Sequence, residues 1–394
     1  MTLSAWPLSY CTNVHPGTTL AAVLGGLREY TALLRQAVGE PIAAGLWLAQ
    51  PVIRELKETP GRGLDQLKAT LSEANLECYT LNAFPFGDFH SPRVKENVYL
   101  PDWTDPRRLE YTLDCARVLA NLLPAGREGS ISTVPLGFKA LVPGFGFSDD
   151  CISPLLNVAQ HLKQLEQETG KTIRLAIEPE PKCVLETTDE TLQFFDRLYA
   201  AAQQRSLLTA ARKFLGVCYD VCHQSVEFES VTRSIQQLQQ ADVRINKVHI
   251  TCALQLDDPA NNVDGRQALA RYVEQRYLHQ TFAQRANGQI LSQIDLTAEL
   301  AQSPPEEWRT ASRWRIHFHV PVNAEQLGPL STTRADLIEA LRAVKELPYA
   351  PHLEVETYTW SVFPEAGAAA VAVPLVEGLT HEMQSTRALL RSLA

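Results

Sequence analysis

Short apolar runs alternate with amphipathic stretches along most of the chain. The apolar runs have the length of buried strands, and the stretches between them repeat apolar residues with a helical period. Strands are predicted at residues 8–13, 44–48, 77–84, 130–136, 174–178, 214–220, 247–251 and 352–358. The clearest helices are predicted at residues 18–36, 107–123, 155–168, 190–203 and 334–345. Eight strands in βα alternation are what a closed parallel barrel needs, so the pattern predicts an α/β fold of the (β/α)8 type.

Residues 254–314 do not fit a single βα unit. They contain a helical stretch at 267–276, an aromatic and histidine patch at 277–282 and a polar run at 302–307. We interpret them as an insertion before the last strand, which would form a lid or a subunit interface. Residues 314–322 alternate as a strand would and compete for a place in the barrel. Without an internal repeat or linker, the whole chain 1–394 is predicted to form one domain.

Composition narrows the function classes. The chain has 36 Lys and Arg against 45 Asp and Glu, a net charge of −9, which argues against nucleic-acid binding. The start lacks a signal-peptide pattern, and the longest apolar run, at 366–376, is too short to cross a bilayer. Eight widely spaced cysteines are typical of reduced thiols. We therefore expect a cytoplasmic protein without membrane insertion that binds a small-molecule metabolite, and a homodimer stays open.

Acidic residues and one histidine collect where the predicted strands end. Glu178 ends the apolar run at 174–178, Asp220 ends the next run, and His249 lies within the third. The last strand carries Glu354 and Glu356, two residues apart and hence on one face. Functional groups of a (β/α)8 barrel lie at the C-terminal ends of its strands. Glu356 is the favoured member of its pair because it lies nearer that end, whereas Glu354 would pair inside the barrel.

Several buried carboxylates on neighbouring strand ends need a shared counter-charge. Three carboxylates and one imidazole form a set of mostly oxygen ligands that suits Mn²⁺, Mg²⁺, Co²⁺ or Zn²⁺. The spacings, 42 residues from Glu178 to Asp220 and 29 from Asp220 to His249, are about one βα unit each. The sequence therefore predicts one divalent metal ion bound by Glu178, Asp220, His249 and Glu356.

These residues resemble the xylose-isomerase-like TIM barrels, which include sugar phosphate isomerases and epimerases and an apurinic endonuclease branch. In that family the ligands are a Glu ending one strand, the Asp of an Asp-x-x-His pair, a His and a final Glu. Here they correspond to Glu178, Asp220, His249 and Glu356. Within the family, residues 8–17 and 353–360 look like EboE-type metabolite traffic proteins, which are implicated in moving or maturing secondary metabolites. No Asp-x-His pair follows His249, so the endonuclease branch is disfavoured.

The resemblance implies isomerisation or epimerisation of a small hydroxylated carbonyl metabolite, with Glu178 and Glu356 as catalytic proton carriers. His223, the histidine of the Asp-x-x-His pair, is predicted to bind substrate or to orient Asp220. Further substrate-binding candidates are the residues His15, Glu180 and His319, the last on one strand face with His317. Two alternatives remain: a non-catalytic barrel that binds or carries its metabolite, and a metal-dependent hydrolase that uses a metal-bound water as nucleophile.

Overall fold

The computed structural model describes residues 3, 6–58, 61–144, 146–364 and 374–393. The apolar run predicted at 366–376 lies outside them except for its last three residues. The strands of the described part are, in chain order, β1 Leu8–Cys11, β2 Ile42–Trp47, β3 Thr80–Asn82, β4 Gly129–Thr133, β5 Ile173–Ile177, β6 Leu215–Asp220, β7 Ile245–Ile250, β8 Cys252–Asp257, β9 Thr281–Gln284, β10 Ile290–Gln293, β11 Arg313–Val320, β12 Gln326–Leu327, β13 Leu330–Thr332 and β14 His352–Val355.

Eight of these strands close into a parallel barrel in the order β1-β14-β7-β6-β5-β4-β3-β2. They coincide with the eight runs predicted from the sequence, so the predicted (β/α)8 fold is confirmed. Their side chains are almost entirely buried. Strands covered on both faces read as continuous apolar runs, which is why the sequence pattern located them.

Helices lie between the strands along the chain. In chain order they are α1 Leu20–Gly26, α2 Ala32–Val38, α3 Gln50–Glu58, α4 Arg62–Glu73, α5 Pro106–Leu122, α6 Phe147–Asp150, α7 Ile152–Thr169, α8 Thr188–Gln204, α9 Leu208–Phe214, α10 Val221–Val226, α11 Val231–Gln240, α12 Val263–Leu269, α13 Ala298–Gln302, α14 Glu306–Arg309, α15 Arg334–Lys345 and α16 Leu375–Leu393. A π-helical turn, Leu27–Thr31, joins α1 to α2 where one helix was predicted.

A second, antiparallel sheet lies between β7 and β14, in the order β10-β9-β11-β8-β13-β12. It extends from Cys252 to Thr332 and is therefore wider than the insertion predicted at 254–314. The strand predicted at 314–322 exists as β11, but its expected competition for a barrel position is wrong. It pairs with β8 and β9 instead. Antiparallel neighbours can hydrogen-bond its backbone N–H and C=O groups without the long crossover connection that a parallel pair needs.

An ion pair lies inside the barrel, below the C-terminal end of the strands. Lys247 Nζ is 2.6 Å from Glu354 Oε1, and both side chains are fully buried. Ser9 Oγ donates a hydrogen bond to Glu354 Oε2 at 2.8 Å. The barrel interior thus holds a charged pair in a place where most barrels pack branched apolar side chains.

Gly45 makes room for this pair. A Cβ atom at residue 45 would lie 1.5 Å from Glu354 Oε2 and 2.9 Å from Ser9 Oγ. We expect Gly45→Ala to lower the free energy of unfolding by about 1–3 kcal/mol because the paired carboxylate cannot move aside freely. Gly25→Ala, in α1 with open space around it, is the matched control and should be neutral or stabilising. Urea denaturation of both variants tests this, and equal stabilities would contradict it.

The structure also bears on the predictions about the cysteines and about membrane-spanning segments. The eight cysteines are all buried and unpaired, in agreement with reduced thiols. None of the helices in the described part of the chain combines the length and the apolar character that a bilayer-spanning segment needs.

Candidate functional site

Four of the predicted residues meet at the C-terminal end of the barrel. Glu178 and Glu356 directly follow β5 and β14, Asp220 ends β6, and His249 lies near the end of β7. One potential donor atom from each lies within 4.8 Å of those of the other three, and all four side chains are buried. We call these four residues the carboxylate cluster.

The Nδ1 atom of His249 lies at the centre of the carboxylate cluster. It is 2.8 Å from Glu178 Oε1, 3.0 Å from Glu356 Oε2 and 3.6 Å from Asp220 Oδ2. Two buried carboxylate oxygens, Glu178 Oε2 and Asp220 Oδ2, have no hydrogen-bond partner. Buried polar atoms are rarely left unpaired, so this geometry indicates a place for a cation.

Asp220 is held by its position at the start of a helix. As the N-cap residue of α10, it accepts a hydrogen bond at Oδ1 from the backbone N–H of His223, at 3.1 Å. Thr251 Oγ1 donates a second hydrogen bond to the same oxygen at 2.7 Å. Because both bonds use Oδ1, the other oxygen, Oδ2, is left to face the carboxylate cluster.

Two asparagines that the sequence analysis missed hold Glu356. Asn13, in the 3-10 turn after β1, and Asn82, the last residue of β3, each donate a side-chain hydrogen bond to Glu356 Oε1 at 2.8 Å. Both lie at the C-terminal ends of barrel strands, and that position was the signal that could have found them. The sequence analysis singled out charged groups and histidines at the strand ends and passed over neutral amides, although these hold the carboxylate by hydrogen bonds.

The electrostatics of the carboxylate cluster favour a positive ligand. Burial raises the pKa of Glu178 to about 7. Burial also opposes the charged form of His249, but the acidic side chains around it, Glu178 and Glu356 among them, hold its pKa well above 6.5. Three carboxylates and one neutral imidazole carry a charge of −3, which a divalent cation bound in place of the imidazolium proton would reduce to −1. The donor set therefore fits the predicted metal ion.

The structure separates Glu354 from Glu356. Glu356 lies in the carboxylate cluster, whereas Glu354 lies deeper in the barrel with Lys247. Glu354 Oε1 is 3.3 Å from His249 Nε2, on the far side of the imidazole ring from the carboxylate cluster. A carboxylate at that place favours a proton on Nε2 and leaves Nδ1 free to bind a cation.

His223 and His319 lie next to the carboxylate cluster, and His317 lies between them. The Nε2 atoms of His223 and His317 are 3.2 Å apart, and those of His317 and His319 are 3.3 Å apart. The structure does not bring His15 to this place. Its ring stacks on Tyr30 and contacts Tyr10 Oη at 3.0 Å, in a separate cavity beside α1.

Glu180 lies on the wall of the same site. Tyr99 Oη donates a hydrogen bond to Glu180 Oε1 at 2.7 Å, and the side-chain amide of Gln280 lies 3.4 Å from the same oxygen. Burial raises the pKa of Glu180 well above 4.5. The other oxygen, Oε2, is buried and unpaired. Tyr99 and Gln280 were not predicted, because Tyr99 lies in a 3-10 turn and Gln280 in the loop before β9, both far from Glu180 in the sequence.

A cleft opens above these residues. Its floor includes Glu178, Glu356 and the three histidines. Its walls are largely aromatic, with contributions from barrel loops and from the inserted segment: Phe84, Phe89, Tyr99, Tyr277 and Tyr358. A polar floor under apolar walls is typical of small-molecule sites.

No protein-family model and no curated protein matches the sequence. Solved structures do match. A xylose isomerase-like TIM barrel protein from Mycobacterium smegmatis in complex with magnesium is 10% identical, with 100% of this chain and 99% of that chain covered and a TM-score of 0.55. L-ribulose 3-epimerase is 12% identical, with 98% and 95% covered and a TM-score of 0.51. The chain therefore has the fold of the xylose isomerase-like TIM barrels.

Proposed function

We propose that the protein is a metal-dependent enzyme that isomerises or epimerises a small hydroxylated carbonyl metabolite. The observation that carries this proposal is the carboxylate cluster, with two unpaired buried oxygens, on the floor of a cleft. Support of a weaker kind comes from the shared fold, since one similar structure is an L-ribulose 3-epimerase and another contains magnesium. Fold similarity alone does not determine the reaction, which depends on the residues of the site.

Glu178, Asp220, His249 and Glu356 would hold the divalent ion. When bound, the cation would polarise a substrate carbonyl and acidify the adjacent C–H group. Glu178 and Glu356 approach His249 from β5 and β14, strands on opposite sides of β7 in the barrel order. We assign them the removal of the proton on one face of the substrate and its return on the other. Glu180 Oε2, unpaired on the wall, would form a hydrogen bond with a substrate hydroxyl.

The exchange of a substrate proton with solvent tests this assignment. The protein is loaded with Mn²⁺ or Mg²⁺ and incubated in D₂O with ketoses, L-ribulose first, while NMR follows loss of the C–H signal beside the carbonyl. We expect Glu178→Gln and Glu356→Gln each to slow exchange per bound metal ion by about 10²–10⁴-fold, the usual contribution of a positioned acid or base.

The exposed Glu306→Gln variant is the matched control and should exchange at the wild-type rate. Full exchange by Glu178→Gln and Glu356→Gln would refute their catalytic assignment. A bound metabolite that returns unchanged after incubation with metal would instead favour the non-catalytic binding barrel. The resemblance of residues 8–17 and 353–360 to EboE-type proteins supports a substrate from secondary-metabolite processing or trafficking.

Metal-dependent hydrolysis is the second candidate. The observation in its favour is the group of three histidine Nε2 atoms next to the carboxylate cluster, since sites with more than one metal ion often catalyse hydrolysis. Release of a leaving group, in place of proton exchange, would identify this reaction. The homodimer, the cytoplasmic location, the single-domain organisation and the absence of nucleic-acid binding stay predictions.

A further inference from the structure

Three aromatic side chains from separate parts of the chain line one side of the cleft. Phe89 lies in the loop after β3, Tyr277 lies in the loop before β9, and Tyr358 begins the 3-10 turn after β14. All three are at most 8% exposed. We call these three residues the aromatic wall.

The rings of the aromatic wall pack against each other. The ring centroids are 4.9 Å apart for Phe89 and Tyr277, 4.9 Å for Tyr277 and Tyr358, and 5.3 Å for Phe89 and Tyr358. These separations are those of favourable aromatic pairs. Because each ring contacts the other two, the wall is already formed without a bound molecule.

The aromatic wall begins directly beside the carboxylate cluster. Tyr358 follows Glu356 by two residues, and its ring centroid is 4.7 Å from that of His319. His319 Nδ1 in turn lies 2.7 Å from the carbonyl oxygen of Glu356. An apolar group next to the reacting carbons of a substrate would therefore reach the wall while the carbonyl and hydroxyl oxygens face the carboxylate cluster.

The cleft has no cationic side chain left for an anionic substrate group. Lys95 is the only lysine or arginine among the described residues that line it. Its Nζ atom donates to the carbonyl oxygens of Glu274 and Tyr277, at 3.0 and 2.7 Å, and to Asp295 Oδ2 at 2.7 Å. An ammonium group has three N–H donors, so all of them are used within the protein. Phosphate groups in proteins are typically bound by free lysine or arginine donors.

Hydrogen-bond acceptors lie on the floor of the cleft. The amide nitrogen of Asn13 donates to Glu356, and its amide oxygen is buried without a partner. His223 and His319 each use Nδ1 on a carbonyl oxygen, at 3.0 and 2.7 Å. A neutral ring that donates from Nδ1 can only accept at Nε2. A substrate hydroxyl can donate to such atoms, whereas the oxygens of a phosphate dianion cannot.

We propose that the substrate is an uncharged α-hydroxyketone with a planar apolar group, an aryl ring in the simplest case, and that the cleft rejects phosphorylated sugars. This inference rests on the proposed function, since it takes the carbonyl and hydroxyl oxygens to face the carboxylate cluster. The planar group lies against the aromatic wall. Rejection of a phosphate follows from the carboxylates of the floor and from the occupied donors of Lys95.

Two matched pairs of compounds test the inference without turnover. NMR titration of the Mg²⁺-loaded full chain gives the dissociation constants of hydroxyacetone and 2-hydroxyacetophenone, which differ in a methyl against a phenyl group. We expect the phenyl compound to bind about 10-fold or more tightly, because it buries more apolar area. Dihydroxyacetone phosphate should bind about 10-fold or more weakly than dihydroxyacetone, because its charge finds no free donor.

Variants of the aromatic wall show whether the preference comes from it. Tyr277→Ala and Phe89→Ala should each lower the affinity for 2-hydroxyacetophenone more than that for hydroxyacetone, whereas a general folding defect would lower both alike. Tyr30→Ala is the matched control, because its ring stacks on His15 in the separate cavity, and it should keep the wild-type ratio. Far-UV circular dichroism shows whether each variant folds, and the wild-type comparison needs no variant.

The outcomes separate this inference from the proposed function. Equal affinities for hydroxyacetone and 2-hydroxyacetophenone, no binding of 2-hydroxyacetophenone to the Mg²⁺-loaded protein, or tighter binding of the phosphate would each overturn the inference. Proton exchange in L-ribulose would then still support the isomerase. A preference for 2-hydroxyacetophenone without proton exchange in any ketose would instead keep the ligand class and refute the isomerase.

Discussion

Lys247→Met is expected to lower the free energy of unfolding by about 3–5 kcal/mol, because it removes the nearest cation from a carboxylate inside the barrel. The Lys247–Glu354 pair is fully buried, with 2.6 Å between Nζ and Oε1. Without Lys247, Glu354 keeps the hydroxyl of Ser9 at Oε2 and the imidazole of His249, whose Nε2 atom is 3.3 Å from Oε1. These two partners are farther from the carboxylate than the ammonium group that the change removes. Urea denaturation of the wild type and the variant at pH 7 measures the difference.

Two matched variants make this expectation specific. Lys247→Met/Glu354→Gln removes both charges and should recover most of the lost stability, since neutral replacements of a buried pair are often tolerated. Arg309→Met breaks an exposed ion pair on α14 and should change stability by less than about 1 kcal/mol. A Lys247→Met variant as stable as the wild type, or a double variant no better than the single, would contradict the role of this pair.

The pH dependence of the same pair has a definite sign. Burial alone would raise the pKa of Glu354, but Lys247 and His249 reverse this and hold it at about 2. The pKa of a glutamate in the unfolded chain is about 4.3. The contribution of Glu354 to the free energy of unfolding is therefore complete above that pH and is lost as the pH falls toward 2. The deficit of Lys247→Met against the wild type should therefore be smaller at pH 3 than at pH 7.

Asp220→Asn is expected to weaken divalent-cation binding at the carboxylate cluster by about 100-fold or more. The change removes a negative charge that faces His249, whereas the amide oxygen can still accept the hydrogen bonds from the His223 N–H and Thr251. The N-cap of α10 is thus kept, and the fold with it. Removal of a residue that only orients a ligand costs 10–100-fold, so the loss of the ligand itself should exceed this range.

Thr251→Val is the matched comparison for Asp220→Asn. It removes the hydroxyl that holds Asp220 Oδ1 but leaves the carboxylate in place. We expect an intermediate loss of affinity, within about 10–100-fold. Calorimetric titration of the stripped proteins with Mn²⁺ gives the three dissociation constants. Wild-type affinity in Asp220→Asn would show that Asp220 does not bind the ion.

The barrel and the carboxylate cluster could be predicted because both depend on local pattern. Buried parallel strands read as apolar runs, and the ends of those runs mark the functional edge of the barrel. The positions of Glu178, Asp220 and His249 at the functional edge followed from their places in these apolar runs. The choice between Glu354 and Glu356 needed only the direction of the strand.

The inserted sheet and the three-histidine group could not be predicted in the same way. β9 and β10 are four residues each, and β10 is half polar, so neither gives a clear strand signal. The meeting of His223 with His317 depends on the pairing of β11 with β8, which shifts register between Ile316 and Val320. Proximity in sequence was also misleading for His15, because the 3-10 turn after β1 directs it toward Tyr30.

Anomalous scattering from crystals soaked in Mn²⁺ shows whether a metal ion binds in the carboxylate cluster. We expect an ion within about 2.0–2.3 Å of His249 Nδ1 and of oxygens from Glu178, Asp220 and Glu356. Crystals without an ion there at saturating Mn²⁺, with His249 Nδ1 still hydrogen-bonded to Glu178, would contradict it.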